Sequence, residues 1–462
     1  MSMNSTPSNR NRDKHTVYVV ERDSVPEQSQ DGVVIAKIGR EIRFDPAILD
    51  THLYRGWEPV HHDLLLICAA VEFSDRRFAR TQQWCRDFHV IVPVLDLEAW
   101  QRLEVQETLT DTLRYLTGDD WYFTFVQGNN TVGSQSRQRS LPFGNSKEFV
   151  IAYSDGLDSR CVAGIFDRKD TALRVRVSDT KDKIKYGEGP FDLVPFQVKL
   201  SRSRDGGVRS RGFKFAAITA VAGHLCGVSG ILVPESGQGA LGPVLLPLHN
   251  VYADYRNYPA FFRKMEGFIA TLLGYSVTYK QPRLWYTKGQ TISLYLGQAG
   301  KKREDLLETR SCWQQRMNVR ADGQVNQCGL CAACLLRRMS MHAAGIDESP
   351  SVYTFANLSA PHFMDAIERF NGNCQRKLMM QYGSVGVRHL QQLADLAGHP
   401  DTALRRYVFD IARATGASEQ ETGDNLRRLL VQHAEEWNGF ILAQGKASFL
   451  HCWTKGSRYG RS

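Results

Sequence analysis

The chain has 462 residues, 42% of them hydrophobic and 23% charged, which excludes a disordered or fibrous protein and predicts a globular one of two or three domains. A net charge of +9, with an isoelectric point near 9.0, suits an anionic partner such as a nucleotide, a nucleic acid or an acidic protein, although the basic residues are spread along the chain rather than blocked. No run approaches the eighteen or so apolar residues of a membrane span, and ten cysteines without an apolar leader point to the cytoplasm, where clustered cysteines hold metal more often than they form disulfides.

In chain order, "MSMNSTPSNRNRDK" has no apolar core, so residues 1–15 read as a disordered polar tail rather than a secretory signal. Residues 16–128 mix short apolar runs ("TVYVV", "FHVIVPVL", "DDWYFTFV") with the helical pattern "HHDLLLICAAVEFSDRRFAR", which predicts an accessory α/β or α+β domain. His61 and His62 open that helix; adjacent histidines leave a helix in different directions, which favours capping and core packing over a metal pair. "QGNNTVGSQSRQRS" follows, rich in Gly, Ser, Asn and Gln, and predicts a linker over residues 129–146.

Residues 147–347 have a different grammar. "EFVIAY" is a buried strand by its apolar run, "SDGLDS" turns, and "SRCVAGIFDR" is a helix; "ALRVRV" is a strand, "GFKFAAITAVAGHLCG" a helix closing on glycine, and "GILVP" a strand. Strand, loop, helix, strand in this order is the signature of a parallel doubly wound sheet. Residues 348–462 predict a helical region from the patterns "HFMDAIERF", "LRRYVFDIARATG" and "NLRRLLVQHAEEW", and the basic end "TKGSRYGRS" reads as a mobile tail.

Two stretches carry chemistry. In "SDGLDS" (Ser154, Asp155, Gly156, Leu157, Asp158, Ser159), backbone N–H groups, hydroxyls and the positive end of a helix converge where an anion fits. The plainer alternative is a tight turn with Asp158 or Ser159 capping the helix. Further on, Cys312 precedes Cys328 by sixteen positions, and Cys328, Cys331 and Cys334 are separated by two residues each. That spacing lets four thiolates reach one tetrahedral ion and predicts a structural zinc site, with Gly329 permitting the tight turn of the knuckle. Cys68, Cys161 and Cys226 lie in apolar helical runs and read as core, Cys85, Cys374 and Cys452 have no partner at ligand spacing, and the eight scattered tryptophans read as core.

The hexapeptide resembles the pyrophosphate-binding loop Ser-Gly-Gly-x-Asp-Ser of the PP-loop ATP pyrophosphatases, with Asp155 in place of the first glycine. Followed by Ser311-Cys312-Trp313, Cys328-Gly329-x-Cys331, Cys334, Arg337 and Ala344-Gly345-Ile346-Asp347, it makes residues 147–347 resemble the QueC family of 7-cyano-7-deazaguanine synthases. The resemblance implies a PP-loop (HUP-like) doubly wound sheet with a four-cysteine knuckle. It also implies use of ATP and Mg²⁺, and transfer of AMP to the carboxylate of 7-carboxy-7-deazaguanine. Residues 154 to 159 would hold the phosphates. Lys288, in "YTKGQTISLYL", and Arg209 or Arg211, before "GFKFAAITAVAG", would neutralise charge. Asp254 and Arg256, in "VYADYRNYPAFF", and Glu235, in "PESGQGALGPV", would face the substrate. For each of these acidic and basic residues the plain alternative is a solvated or paired structural role.

The extra regions on either side, Asp155 and the altered segment around Glu235 depart from a stand-alone synthase. The layout resembles the enlarged QueC-like proteins of bacterial antiphage operons, the Qat and type IV CBASS kinds. That likeness implies a ligase that joins the activated carboxylate to an amine of a partner protein as an amide. The alternatives are the nitrile-forming synthase fed by ammonia and a catalytically lapsed, zinc-stabilised adaptor. Modification of a base in nucleic acid has only the weak basic-aromatic stretch "RRFARTQQWCRDFH" behind it.

Overall fold

A computed structural model describes residues 14–21, 32–49, 55–80, 85–129, 147–167, 169–178, 191–201, 208–247, 252–313, 320–321, 324–367 and 376–455. Residues 1–13 of the tail, 130–146 of the linker, Cys374 and residues 456–462 of the basic end lie outside them. The chain divides into two compact units, each drawn from three segments.

The first unit takes Met1–Ser146, Val175–Ile231 and Phe261–Thr278. Strands β1 (Lys14–Val20) and β2 (Val33–Lys37), with β4 (Asp87–Val94) and β5 (Asp120–Gln127), form a sheet in the order β2-β1-β4-β5. All its pairings are parallel, with Val17 opposite both Val34 and Val90 and Phe88 opposite Trp121. The accessory region is therefore α/β rather than α+β. In β4, Phe88, Val90, Val92 and Val94 are fully buried at the period of two that a strand dictates.

Helix α1 (Pro59–Arg77) is buried continuously from Val60 to Asp75, so its acidic residues need partners. Asp63 accepts from the amides of Leu95 and Asp96, Glu72 from Lys214 and Arg76, and Asp75 from Arg86, Arg80 and the Ser210 amide. Short α2 (Leu97–Gln101) and α3 (Leu103–Thr117) complete the crossover from β4 to β5.

A second sheet has the order β10-β9-β6-β7-β8-β3. Its strands are β3 (Ile42–Phe44), β6 (Phe149–Ala152), β7 (Ala172–Ser178), β8 (Asp192–Val198), β9 (Gly230–Leu232) and β10 (Thr278–Lys280). β7 and β8 run parallel, whereas β3 lies antiparallel on β8, with Ile42 opposite Val198. That edge pairing corrects the expectation of a parallel sheet throughout: a three-residue strand from the amino-terminal segment caps the edge. Two predicted helices are α4 (Leu157–Phe166) and α5 (Arg211–Cys226), the latter closed by Gly227 at a φ of 68°.

The second unit takes Lys147–Arg174, Leu232–Ala260 and Tyr279–Ser462. Beyond α6 (Gly237–Leu245), α7 (Pro259–Leu273), α8 (Lys288–Leu296) and α9 (Glu304–Leu307) come the small antiparallel pair β11 (Arg320–Ala321) and β12 (Gln324–Val325) and helices α10 (Ala332–Ala343), α11 (Arg376–Asp395), α12 (Asp401–Thr415), α13 (Glu419–Ala443) and α14 (Phe449–Thr454). One apolar core joins α10, α11, α13 and α14 through Leu335, Met339, Val387, Trp437, Phe440 and Leu450. Another joins α6 to the last helices through Leu241, Leu393, Leu426 and Leu430. Among the described residues the pattern "HFMDAIERF" yields a 3-10 turn at Phe363–Ala366, and Ile367 after it bridges Phe355.

Candidate functional site

The four predicted cysteines meet. Cys312, Cys328, Cys331 and Cys334 are all buried, and their sulfurs lie within 4.8 Å of one another. The Cys328 and Cys334 sulfurs are 3.7 Å apart. That is far beyond the ~2 Å of a disulfide and close to the ~3.8 Å edge of a tetrahedron whose centre is ~2.3 Å from each sulfur, as in zinc–thiolate sites. Cys331 is the N-cap of α10 and Cys334 sits in its first turn, so the positive end of the helix favours the thiolates. The amides of Leu330 and Cys331 donate to the Cys328 sulfur at 3.4 and 3.2 Å.

Gly329 makes the turn at a φ of +84°, where a Cβ would stand 2.5 Å from the Phe355 carbonyl oxygen. The Arg338 guanidinium donates to the carbonyls of Phe355 and Ala356 beside the knuckle. Arg337, from the same helix, is fully buried and binds Glu348, Thr309 and the Leu306 carbonyl, a structural brace. The donor set and spacing fit a closed, structural Zn²⁺ site.

In the same unit, β6 runs into the hexapeptide turn. The Ser154 hydroxyl lies 2.9 Å from that of Ser159 and accepts from the Gly156 amide at 3.1 Å. The N-cap of α4 is Gly156 and no side chain caps the helix, which corrects the expectation that Asp158 or Ser159 would. Ser159 instead turns back to Ser154, and Asp158 reaches outward to Lys288, 2.5 Å away. Asp155 is exposed, and its carbonyl accepts from the Arg310 amide.

Helices α4 and α8 approach so closely that a Cβ on Gly164 would lie 2.3 Å from the Tyr295 ring. Gly164 and Tyr295 each lie about two turns beyond Asp158 and Lys288, so the helices run side by side in the same direction and bring those two charges together. Leu157, Cys161, Ile165, Ile292 and Tyr295 form the apolar seam beneath.

Glu235 follows β9, the neighbour of β6 in the sheet order. Its two carboxylate oxygens accept from the Ser236 amide (3.2 Å) and the Asn257 side-chain amide (2.9 Å). Gly239 leaves room for it, since a Cβ there would stand 2.2 Å from Glu235 Oε1. Burial and the neighbouring Asp158 push Glu235 up to about 7, while Lys288 and Arg256 pull the other way. Although burial opposes its charge, Asp158 and Glu235 hold the Lys288 ammonium above its usual range. Arg256 is locked to Asp254 by a fork of hydrogen bonds. Asp158, Lys288, Glu235, Asp254 and Arg256 therefore form one electrostatic cluster.

The carboxy-terminal helix α13 adds residues that the sequence reading missed. Glu436 accepts from the Thr287 hydroxyl at 2.5 Å, at the N-cap of α8, and burial pushes it up to about 7. His433, lowered to about 4 by burial, donates to the Leu390 carbonyl and accepts from Gln238, whose own oxygen accepts from the Lys288 amide. Both occupy the apolar stripe of α13 marked by Leu426, Leu429, Leu430, Trp437 and Phe440, and polar residues on such a stripe are the signal that could have revealed them. Three buried oxygens around the cluster, Asp158 Oδ1, Ser236 Oγ and Glu436 Oε2, make no hydrogen bond among the described residues.

Arg209 and Arg211 belong to the first unit. There Arg209 donates to the Thr117 carbonyl at 3.0 Å, with burial and Arg80 lowering it to about 10, and Arg211 lies over the Phe215 ring. His61 closes a capping box with Glu58 and meets His224 at 2.8 Å, while His62 turns toward Phe44. Trp313 is 66% exposed, which corrects its placement in the core. Cys85 lies with Asp87 and Asp120 in a small mixed cluster that its sequence spacing did not announce. No helix among the described residues is long and apolar enough to cross a membrane. Comparison with protein-family models, with curated proteins and with solved structures gives no match.

Proposed function

We propose that this chain is a zinc-stabilised α/β protein that activates a carboxylate by ATP-dependent adenylation and passes it to an amine, forming an amide. The observation that carries the reading is the meeting, in one unit, of the hexapeptide turn with Lys288, Glu235 and Arg256, beside buried oxygens that make no hydrogen bond among the described residues. Such orphaned oxygens are costly unless something binds them.

A carboxylate is a poor electrophile, and transfer of AMP supplies the leaving group it lacks. In this scheme the amides of the turn and the start of α4 hold phosphate oxygens. Lys288 offsets charge that develops as pyrophosphate departs, and Mg²⁺ would accompany the ATP phosphates. The resemblance drawn above names 7-carboxy-7-deazaguanine as the carboxylate and a protein amine, in antiphage defence, as the acceptor. The nitrile-forming reaction with ammonia shares the first step.

A second reading has a specific observation in its favour. The buried four-cysteine site is the feature the residues support most directly, and a catalytically lapsed adaptor requires nothing beyond it. The Asp158–Lys288 pair, already mutually neutralised, suits such a scaffold as well.

The test is AMP release from ATP and Mg²⁺ with and without 7-carboxy-7-deazaguanine, comparing the wild type with Asp158→Asn at equal zinc content. The enzyme predicts AMP only when the deazaguanine is present and a loss of about 100-fold or more in the variant. Nitrile or amide among the products then separates synthase from ligase. No AMP from the wild type leaves the adaptor.

A further inference from the structure

We propose that Glu235 is the general base of the amide-forming step and takes the proton that the attacking amine must shed. This role rests on the adenylation reading above and assigns a residue that departs from the family pattern it resembles. Once AMP is on the carboxylate, the amine nitrogen attacks the acyl carbon. The C–N bond forms, the bond from that carbon to the AMP oxygen breaks, and AMP leaves with the electron pair. The nitrogen is left with one proton too many, and an amine arriving as ammonium must lose another before it attacks. A carboxylate at hand for the first of these protons decides whether the step runs at neutral pH.

Each other charged group in the cluster is already committed. Asp158 is ion-paired to Lys288 at 2.5 Å, and Asp254 is forked to Arg256. Lys288 and Arg256 are cations and accept nothing. Glu235 differs in that, among the described residues, its hydrogen bonds come from neutral donors, the Ser236 amide at 3.2 Å and the Asn257 amide at 2.9 Å. These fix its orientation without cancelling its charge. The glycine at 239 is a slot for this carboxylate, since any Cβ there would overlap Glu235 Oε1.

Burial beside Asp158 raises Glu235 to about 7, with Lys288 and Arg256 restraining the rise. A base in that range is about half ionised at neutral pH, so it can both accept a proton and hold it. Lys288 and Arg256 favour the ionised carboxylate by their nearby charge, without a hydrogen bond to it.

The experiment compares wild type, Glu235→Gln and Glu235→Ala with ATP, Mg²⁺ and 7-carboxy-7-deazaguanine. Pyrophosphate exchange reads the adenylation half, and product formation reads the amine half with either ammonium or hydroxylamine. Zinc content and melting temperature establish that each variant is folded. The role predicts that transfer to ammonium falls about 100-fold in Glu235→Gln, far more than exchange does. Transfer to hydroxylamine, which sheds the same proton on attack, should fall as well, and added acetate should partly rescue Glu235→Ala. The ratio of wild-type to Glu235→Gln transfer should climb with pH to about 7 and flatten above it. Transfer to ammonium at the wild-type rate in Glu235→Gln, or equal losses in exchange and transfer, overturns the role and leaves adenylation standing. A wild type without exchange overturns adenylation and this role together.

Discussion

At the scale of single residues, Glu436 makes the most direct prediction. The fold raises its carboxyl from 4.5 to about 7, chiefly by burial. As pH rises from about 4.5 to 7, the unfolded chain gives up a proton that the folded chain keeps. Stability is therefore lost through that window, and the full cost above it is on the order of 3 kcal/mol at most. Glu436→Gln keeps an oxygen for Thr287 and removes the titration. Its melting temperature should exceed that of the wild type at pH 8 and converge with it at pH 4, which calorimetry at both values would check. Residues differ in how far the sequence exposes them. The four cysteines are legible because a metal imposes local spacing, whereas the Thr287–Glu436 contact joins positions 149 residues apart, which no local period encodes. Trp313 misleads for the opposite reason: its neighbour Cys312 is buried, but its own ring faces out.

Among elements, the knuckle is the most demanding. Gly329 sits at a positive φ with a backbone oxygen 2.5 Å from where a Cβ would be, so neither partner can yield cheaply. Gly329→Ala should lower bound zinc well below one ion per chain and depress the melting temperature. Metal analysis of the purified variant decides this, and full occupancy would refute it. Most helices are legible from their periodicity and their closing glycines, as Gly227 and Gly416 show for α5 and α12. The start of α4 is less so: its Ser and Asp side chains are the usual caps, yet here they serve Ser154 and Lys288 instead. Local preference loses to a tertiary partner there. The closeness of α4 and α8 is hidden as well, because it depends on Gly164 meeting a ring from 131 positions away.

For the whole molecule, the four-cysteine cluster sits within the core that joins α10, α11, α13 and α14. Stripping the metal should therefore loosen more than a loop. Hydrogen exchange in the presence of a strong chelator should show protection lost across those helices, while the parallel sheet β2-β1-β4-β5 with α1 keeps its own. Equal loss in both units would contradict this. The α/β class is legible from strand–helix–strand patterning, but the partition of the chain is not, since segments far apart in sequence complete each unit. That interleaving has a consequence for synthesis on the ribosome. Val175–Ile231 belongs with the amino-terminal third, whereas Lys147–Arg174, which emerges earlier, belongs with Tyr279–Ser462. The hexapeptide turn thus meets Lys288 and the cysteine-bearing stretch only after Val175–Ile231, a segment of the other unit, has been made. A nascent chain stalled before that point lacks Ile292 and Tyr295 of the apolar seam, and dissecting the protein at any single peptide bond divides at least one of its units.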